Sequence, residues 1–315
     1  MDTALERCIG GVVPPMCTPL TEAGAVDAHS LLQLRRRLVD GGVAGLFALG
    51  STGEASYLTN AARREVVELL GPLAAADEVP LLVGVAEPTA ERVVEAASVL
   101  ISADVDVLVA TGPFYAAASS REIVTHFETI ARSVNVPVLA YNIPSNVGYE
   151  LPVAVVVDLV ERGVVAGIKD SSTNLTGLRQ LVLAGGGRSD AAYFSGSDGL
   201  LDAALQIGAN GSVAGLANVA PELFVAALRA HRDADPGQLA DAQRRIVTLT
   251  DLYTTSDPGT GLNSTQLGSI KTALKLQGVI STDQVSVPMQ RSSLDKTEDV
   301  SRILADAGVL DVVAV

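Results

Sequence analysis

Short apolar segments alternate with amphipathic helical patterns along most of this chain, and this alternation restricts its fold more than any other feature. Eight segments have the length and composition of strands, and most are apolar throughout, as expected for parallel strands covered on both faces. They occupy residues 9–16, 45–49, 80–85, 105–110, 136–141, 164–169, 192–195 and 211–215. Helical patterns lie between them, as at residues 30–41, 60–75, 89–102, 120–135 and 152–163.

Eight successive strand–helix units predict the α/β class and, within it, a closed (β/α)8 TIM barrel. A doubly wound open sheet is the alternative, but no GxGxxG phosphate-binding sequence follows the first predicted strand. We predict that residues 1–220 form the barrel and carry the active site. Residues 221–315 are predicted to add the last barrel helix and a C-terminal helical extension, with helices at 221–232, 236–253, 264–276 and 297–307.

The charge and residue usage argue against several classes of partner. The 315 residues include 36 Asp and Glu against 22 Lys and Arg, a formal net charge of -14, which disfavours nucleic acid and membrane surfaces as partners. Cys8 and Cys17 form no disulfide framework and no CxxC pair, which indicates a reducing cytoplasm. The three histidines lie far apart in helical patterns, so we expect neither a metal site nor a Ser-His-Asp triad.

Lysine usage indicates one candidate catalytic residue. Lys169 is the only lysine before residue 271, and it ends the sixth predicted strand, at the edge where barrel active sites are built. An amine at that place is partly removed from water, which favours its neutral, nucleophilic form; unlike a guanidinium, it can form an imine. The alternative is a structural lysine that snorkels or forms an ion pair with Asp170.

Three further motifs follow predicted strands. The sequence GSTGE at residues 50–54 combines glycines, hydroxyls and backbone N–H groups that suit a small carboxylate, although an ordinary turn is the alternative. Tyr141 ends the fifth predicted strand, where a phenol can shuttle protons near a lysine imine or serve as a core residue. Tyr115, after the fourth predicted strand, allows the same two interpretations. We therefore predict chemistry based on an amine and a phenol, with no metal and no cofactor.

Together these motifs resemble the dihydrodipicolinate synthase / N-acetylneuraminate lyase family of class I, pyruvate-dependent aldolases. The similarity covers roughly residues 9–312. It includes GVVPPMCTPL at 11–20, GSTGE at 50–54, GPFY at 112–115, YNIP at 141–144, GIKDSS at 167–172 and SGSD at 195–198. The resemblance implies a Schiff-base lyase. Lys169 would bind pyruvate, a small 2-oxo acid, as a covalent imine whose enamine adds to an aldehyde, or would catalyse the reverse cleavage.

The resemblance also implies roles for other residues. Tyr141 would shuttle protons at the imine, while Ser51 and Thr52 would hold the pyruvate carboxylate, with Thr52 also in the proton relay. The main chain of Val213 would contact the rear of the pyruvate pocket. Tyr115 would enter the active site of a neighbouring subunit, within a homotetramer built as a dimer of dimers.

The second substrate is less defined by the sequence. Asn146 stands where dihydrodipicolinate synthases carry an Arg that grips the carboxylate of aspartate semialdehyde, and loss of such a contact costs about 2–5 kcal/mol. The sequences KDSS at 169–172 and AGLANV at 214–219 look more like those of 2-keto-3-deoxy sugar acid aldolases. In such an enzyme Ser171, Gly196 and Asp198 would be candidates to bind substrate hydroxyls, with Asn146 as a further substrate contact.

A sugar-acid aldolase is therefore the preferred interpretation. The alternatives within the family are 4-hydroxy-tetrahydrodipicolinate synthase, which joins pyruvate and aspartate semialdehyde in lysine biosynthesis, and a dehydratase that uses the same imine. A barrel that binds a keto acid without turnover, as a sensor or assembly subunit, is the alternative from another class. The set of Lys169, Tyr141 and Thr52 argues against it, because a pure binding protein needs no amine nucleophile.

Overall fold

The computed structural model describes residues 4–101, 104–185, 190–255 and 257–310. Seven parallel strands form one sheet, in which each strand pairs with the next along the chain. They are β1 (Leu46–Ala48), β2 (Leu81–Val85), β3 (Val107–Thr111), β4 (Val138–Asn142), β5 (Gly167–Asp170), β6 (Ala192–Ser195) and β7 (Gly211–Ser212). All of their residues are buried, as the uninterrupted apolar segments predict, and the α/β class is confirmed.

Helices connect the strands and cover the outside of the sheet. They are α1 (Ala4–Cys8), α2 (Ala28–Asp40), α3 (Asn60–Ala76), α4 (Ala90–Leu100), α5 (Ser120–Ser133), α6 (Pro144–Val147), α7 (Val153–Glu161), α8 (Leu175–Ala184) and α9 (Leu201–Gln206). Polar residues begin several of them as the sequence predicts: Thr59 accepts the Ala62 N–H, and Ser119 forms a reciprocal capping box with Glu122. Residue 102, the end of one predicted helix, lies outside the described residues.

The first predicted strand, at residues 9–16, is wrong as a regular strand. The segment makes only isolated parallel bridges, from Val12 to Ser212 of β7 and from Pro15 to Phe47 of β1. Pro14 and Pro15 have no backbone N–H, so a continuous hydrogen-bonded ladder cannot form here. The segment nevertheless lies between the two edge strands of the sheet and contacts both.

Strand side chains alternate between two buried clusters, because successive residues of a strand point to opposite faces. One cluster lies on the inner face of the curved sheet and contains Phe47, Leu82, Val109, Leu139, Tyr141, Phe194 and Val213. The other cluster is larger and lies between the strands and the surrounding helices. Residues at the C-terminal ends of the strands therefore project from a rigid, closely packed base.

Helices continue after the last strand, as predicted. They are α10 (Pro221–Arg232), α11 (Pro236–Thr250), α12 (Leu262–Leu276) and α13 (Leu294–Asp306), with short 3-10 turns at Gly215–Asn218 and Asp251–Thr254. The end of the predicted extension, residues 311–315, lies outside the described residues. Over the described ranges, no helix is both long enough and apolar enough to cross a membrane.

Candidate active site

Lys169 projects from the C-terminal part of β5. Two residues earlier, Gly167 has a φ of 144° and lies against the backbone of Ala192 in β6, where a Cβ would collide. Only glycine fits this position without displacing the neighbouring strand. Lys169 pairs in register with Tyr141 of β4, and both side chains point to the inner face of the sheet. The sequence thus places an amine and a phenol side by side on adjacent strands.

Asp170 points away from that amine, because neighbouring strand residues face opposite sides. Its carboxylate accepts hydrogen bonds from Asn142 Nδ2 at 2.8 Å and from the Ser172 backbone N–H at 3.0 Å. Burial raises the pKa of Asp170, although these hydrogen bonds oppose the effect. The interpretation of Lys169 as the ion-pair partner of Asp170 is therefore wrong.

The Lys169 amine lies in an aromatic, nearly dry environment. The residue is 3% exposed, and its Nζ lies 4.0 Å from the centroid of the Tyr141 ring and 5.0 Å from that of Phe47. The two rings meet edge to face, with their centroids 6.5 Å apart. Electrostatic effects are strong where water is excluded, so small rearrangements here change the reactivity of the amine and the phenol.

The surroundings of Tyr141 lower the pKa of its phenol. Burial acts to raise its pKa, but the charge of Lys169 and hydrogen bonding with Ser51, Lys169 and Ser171 together outweigh burial. The net pKa of Tyr141 lies below the usual value for tyrosine. A phenol that releases its proton more readily than usual, in contact with an amine, suits proton transfer at that amine.

The loop after β1 brings Ser51 and Thr52 to the same end of the sheet. Glu54 anchors this loop: its backbone has a positive φ of 59°, a conformation that costs a non-glycine residue of order 1–3 kcal/mol. Its carboxylate forms a fully buried ion pair with Lys271 of α12. The same carboxylate accepts the backbone N–H of Ser286 at 2.7 Å. The hydroxyls of the loop are therefore held in place by contacts with the C-terminal part of the chain.

These residues line one cavity of about 360 Å³. Nine predicted site residues meet in it: Ser51, Thr52, Tyr141, Asn146, Lys169, Ser171, Gly196, Asp198 and Val213. A side chain at Gly196 would collide with Ser171, so glycine at this position keeps the cavity open. The cavity is a concave site with a single buried amine and several hydroxyls, which is typical of a small-molecule binding site.

Tyr115 is the one predicted site residue that does not line this cavity. Its side chain is fully exposed, and its backbone has a positive φ of 76°. The role implied by the resemblance requires a neighbouring subunit, so the assignment of Tyr115 to an active site stays a prediction.

Asp198 lies in the cavity wall with both carboxylate oxygens engaged. Oδ1 accepts the backbone N–H of Leu216 at 2.9 Å, and Oδ2 accepts the hydroxyl of Tyr253 at 2.8 Å. Burial raises the pKa of Asp198 to about 6, against the lowering effect of these hydrogen bonds and of Lys169. A substrate hydroxyl that contacts Asp198 must share oxygens that already have protein donors.

Helix α12 supplies a part of the cavity wall that was not predicted from the sequence. One face of α12 contributes five lining residues: Leu262, Asn263, Gln266, Leu267 and Ile270. Asn263 and Gln266 lie on the same helix face as Leu267 and Ile270. These two amides were the sequence signal that this face lines a cavity, because a buried helix face is normally apolar. Thr250 and Tyr253 also line the cavity, so its wall includes residues beyond position 220.

Metal ligands are not grouped in this structure. In the described ranges no cluster of three or more His, Cys, Asp or Glu side chains could hold a metal ion. The cavity instead offers hydroxyls, amides, one amine and one carboxylate.

A fold and site of this kind define a class of lyases, and comparisons with known proteins agree. The chain belongs to the dihydrodipicolinate synthetase family, whose model matches residues 8–307. The chain is therefore a lyase of the aldolase type that this family comprises. A solved structure of the prophage protein YagE from E. coli K12, in complex with pyruvate and in the same family, superposes with a TM-score of 0.88. The two are 27% identical, over 95% of this chain and 99% of that one.

Two curated relatives carry different names. A "probable 2-dehydro-3-deoxy-D-pentonate aldolase" of Escherichia coli is 28% identical over 96% of this chain and 98% of its own length. The 4-hydroxy-tetrahydrodipicolinate synthase 1 of Streptomyces coelicolor is 32% identical over 81% of this chain and 82% of its own length. The family resemblance expected from the sequence is therefore confirmed.

Proposed function

We propose that this lyase is a class I aldolase in which Lys169 forms a Schiff base with pyruvate, acting on a 2-keto-3-deoxy sugar acid. One observation carries the proposal: the Lys169 amine is buried against Tyr141 at the end of β5 and lines the cavity that contains the other predicted site residues. The pyruvate present in the YagE structure supports the choice of keto acid. No cofactor is needed, because the substrate itself becomes the covalent imine.

The chemistry would proceed as follows. The amine of Lys169 attacks the keto carbon of pyruvate, and loss of water gives the imine. Removal of a proton from the methyl carbon gives an enamine, which adds to the carbonyl carbon of an aldehyde, and water then releases the product. Tyr141 is placed to transfer these protons, with Thr52 in the relay, and Ser51 and Thr52 offer hydroxyls to the pyruvate carboxylate.

The nature of the cavity supports a sugar-acid substrate. Over the part of the chain that the structure describes, Lys169 is the only cation that lines the cavity, and Asn146 lies in its wall where a synthase would need an Arg. Asn146 is itself hydrogen-bonded by the Ser145 hydroxyl at 2.8 Å. Hydroxyl groups of a sugar acid can form hydrogen bonds with hydroxyls, amides and carboxylates. Ser171, Gly196 and Asp198 line the cavity and are the candidates for these contacts.

The alternative is 4-hydroxy-tetrahydrodipicolinate synthase, and the named relative from Streptomyces coelicolor favours it. Purified protein incubated with a 2-keto-3-deoxypentonate or 2-keto-3-deoxygluconate should release pyruvate, which lactate dehydrogenase detects. Pyruvate with aspartate semialdehyde should react far more slowly. A higher kcat/KM with aspartate semialdehyde than with either sugar acid would contradict the aldolase and support the synthase.

We also infer a closed (β/α)8 barrel in which the bridging segment at residues 9–16 acts as the eighth strand. Its bridges to both edge strands support closure. The predicted homotetramer would bring Tyr115 into a neighbour's site. A second cavity of about 590 Å³ adjoins the first, shares Ser51 and Asn146 with it, and could receive such a side chain. The free, buried thiols of Cys8 and Cys17 fit a cytoplasmic location.

A further inference from the structure

We propose that Gln266 determines aldehyde specificity by binding the terminal hydroxyl of the aldehyde substrate. The inference rests on the proposed aldolase function, and it concerns the end of the substrate farthest from the imine. Helix α12 presents Gln266 to the cavity from the part of the chain that follows the last strand.

The position of Gln266 follows from the geometry of its helix. Residues spaced by three or four positions share one face of a helix, and Asn263, Gln266, Leu267 and Ile270 fulfil this spacing on the lining face of α12. Lys271, the next residue, is fully buried in its ion pair with Glu54. The rotation of α12 is therefore fixed, and Gln266 cannot turn away from the cavity without breaking that pair.

The side chain of Gln266 is available for a ligand. It is half-buried and forms no hydrogen bond with any residue in the described ranges. Its neighbours differ in this respect: Asn263 Nδ2 donates to the Tyr57 hydroxyl at 3.2 Å, and Asn146 accepts the Ser145 hydroxyl. A half-buried amide without a partner gains more from a ligand hydrogen bond than one already engaged.

The charge of the cavity identifies the chemical class of that ligand. Among the described residues that line the cavity, Lys169 is the only cation, and the proposed chemistry commits it to the keto acid. The only carboxylate in the same set, Asp198, has protein donors on both oxygens. A second carboxylate on the aldehyde would find no further cation in this described lining. A hydroxyl both donates and accepts, and a primary amide offers the complementary acceptor and donor.

The test compares two aldehydes that differ in one hydroxyl. Glyceraldehyde and 2-hydroxypropanal are each supplied with pyruvate, and kcat/KM is measured for each aldehyde. In Gln266→Leu the ratio of the glyceraldehyde value to the 2-hydroxypropanal value should fall about 3–10-fold below that of the wild type, as for loss of one neutral hydrogen bond. Gln266→Ala should change the ratio in the same direction.

The control is Gln33→Leu, which removes the same amide from an exposed position of α2 and should keep the wild-type ratio. An unchanged ratio in both Gln266 variants would overturn the inference. Borohydride reduction with pyruvate separates this failure from that of the proposed function. A wild type that forms no adduct refutes both, whereas adducts in wild type and variants with an unchanged ratio refute only the role of Gln266.

Discussion

The setting of Asp198 shows how one residue can line an active site and still serve mainly as a structural group. Its carboxylate is removed from water, which raises its pKa from 3.8 to about 6. A carboxyl whose pKa is higher in the folded than in the unfolded state binds its proton more tightly when folded. Its favourable contribution is therefore complete below about pH 3.8 and is lost as the pH rises through about 6.

A series of unfolding measurements at different pH values tests the raised pKa of Asp198. Relative to Asp198→Asn, which does not titrate, the wild type should lose about 2 kcal/mol of unfolding free energy between about pH 4.5 and pH 7. The measurement is urea unfolding of both proteins at each pH. A difference between them that stays constant over this range would show that Asp198 titrates normally.

Asp198 also shows which contacts of a site residue cannot be predicted from the sequence. Lys169 and Tyr141 could be predicted because each ends a recognisable apolar strand segment, and strand ends meet at one edge of such a sheet. The partners of Asp198, Leu216 and Tyr253, lie 18 and 55 residues away. No local pattern relates such positions, so the occupation of its oxygens required the folded structure.

At the level of secondary-structure elements, a buried ion pair connects the loop after β1 to helix α12 and supports the active site. Glu54 lies in the loop that presents Ser51 and Thr52, and it pairs with Lys271 while both side chains are fully buried. Lys271 Nζ also donates to the Gln284 carbonyl at 2.8 Å. The C-terminal helices thus support the loop proposed to bind the keto-acid carboxylate, in addition to lining the cavity.

Removal of one partner from this pair should destabilise the protein strongly. Lys271→Met leaves the Glu54 carboxylate buried without a countercharge, at an expected cost of about 3–5 kcal/mol of unfolding free energy. The double variant Lys271→Met/Glu54→Gln should recover much of this loss, because no charge remains buried. Urea unfolding of the wild type and both variants provides the test, and a single variant as stable as the wild type would contradict it.

Most strands could be predicted from the sequence, whereas the irregular pairing of residues 9–16 and the packing of α12 could not. Seven strands were predicted within a few residues of their observed bounds, because short, continuous apolar segments that alternate with helical patterns are typical of buried parallel strands. The segment at residues 9–16 has the same apolar character, but Pro14 and Pro15 interrupt its hydrogen bonding. For α12, the pattern predicted a helix and not its contact with the cavity, since tertiary packing decides which surface a helix covers.

For the whole molecule, the exposed side chain of Tyr115 supports the proposal that a neighbouring subunit contributes to each active site. Its ring is fully exposed on a backbone held at positive φ, an unfavourable setting for an aromatic residue without a partner. In the proposed assembly, each subunit would donate Tyr115 to the active site of its neighbour.

Mixing two inactive variants tests this exchange. Lys169→Ala and Tyr115→Phe proteins should each have low activity as separate preparations. After subunit exchange, a mixed dimer would contain one site with Lys169 and a donated Tyr115, so activity should rise towards about a quarter of the wild-type value. Mixtures that never exceed the average of the two separate preparations would place Tyr115 outside the neighbour's site.

Chemical trapping shows whether Lys169 forms an imine with pyruvate, the step on which the proposed function depends. The protein is incubated with pyruvate and sodium borohydride, digested, and analysed by mass spectrometry. We expect a carboxyethyl adduct on Lys169 in the wild type and no adduct in Lys169→Ala. The absence of an adduct in the wild type, or its presence on another residue when Lys169 is replaced, would contradict the account.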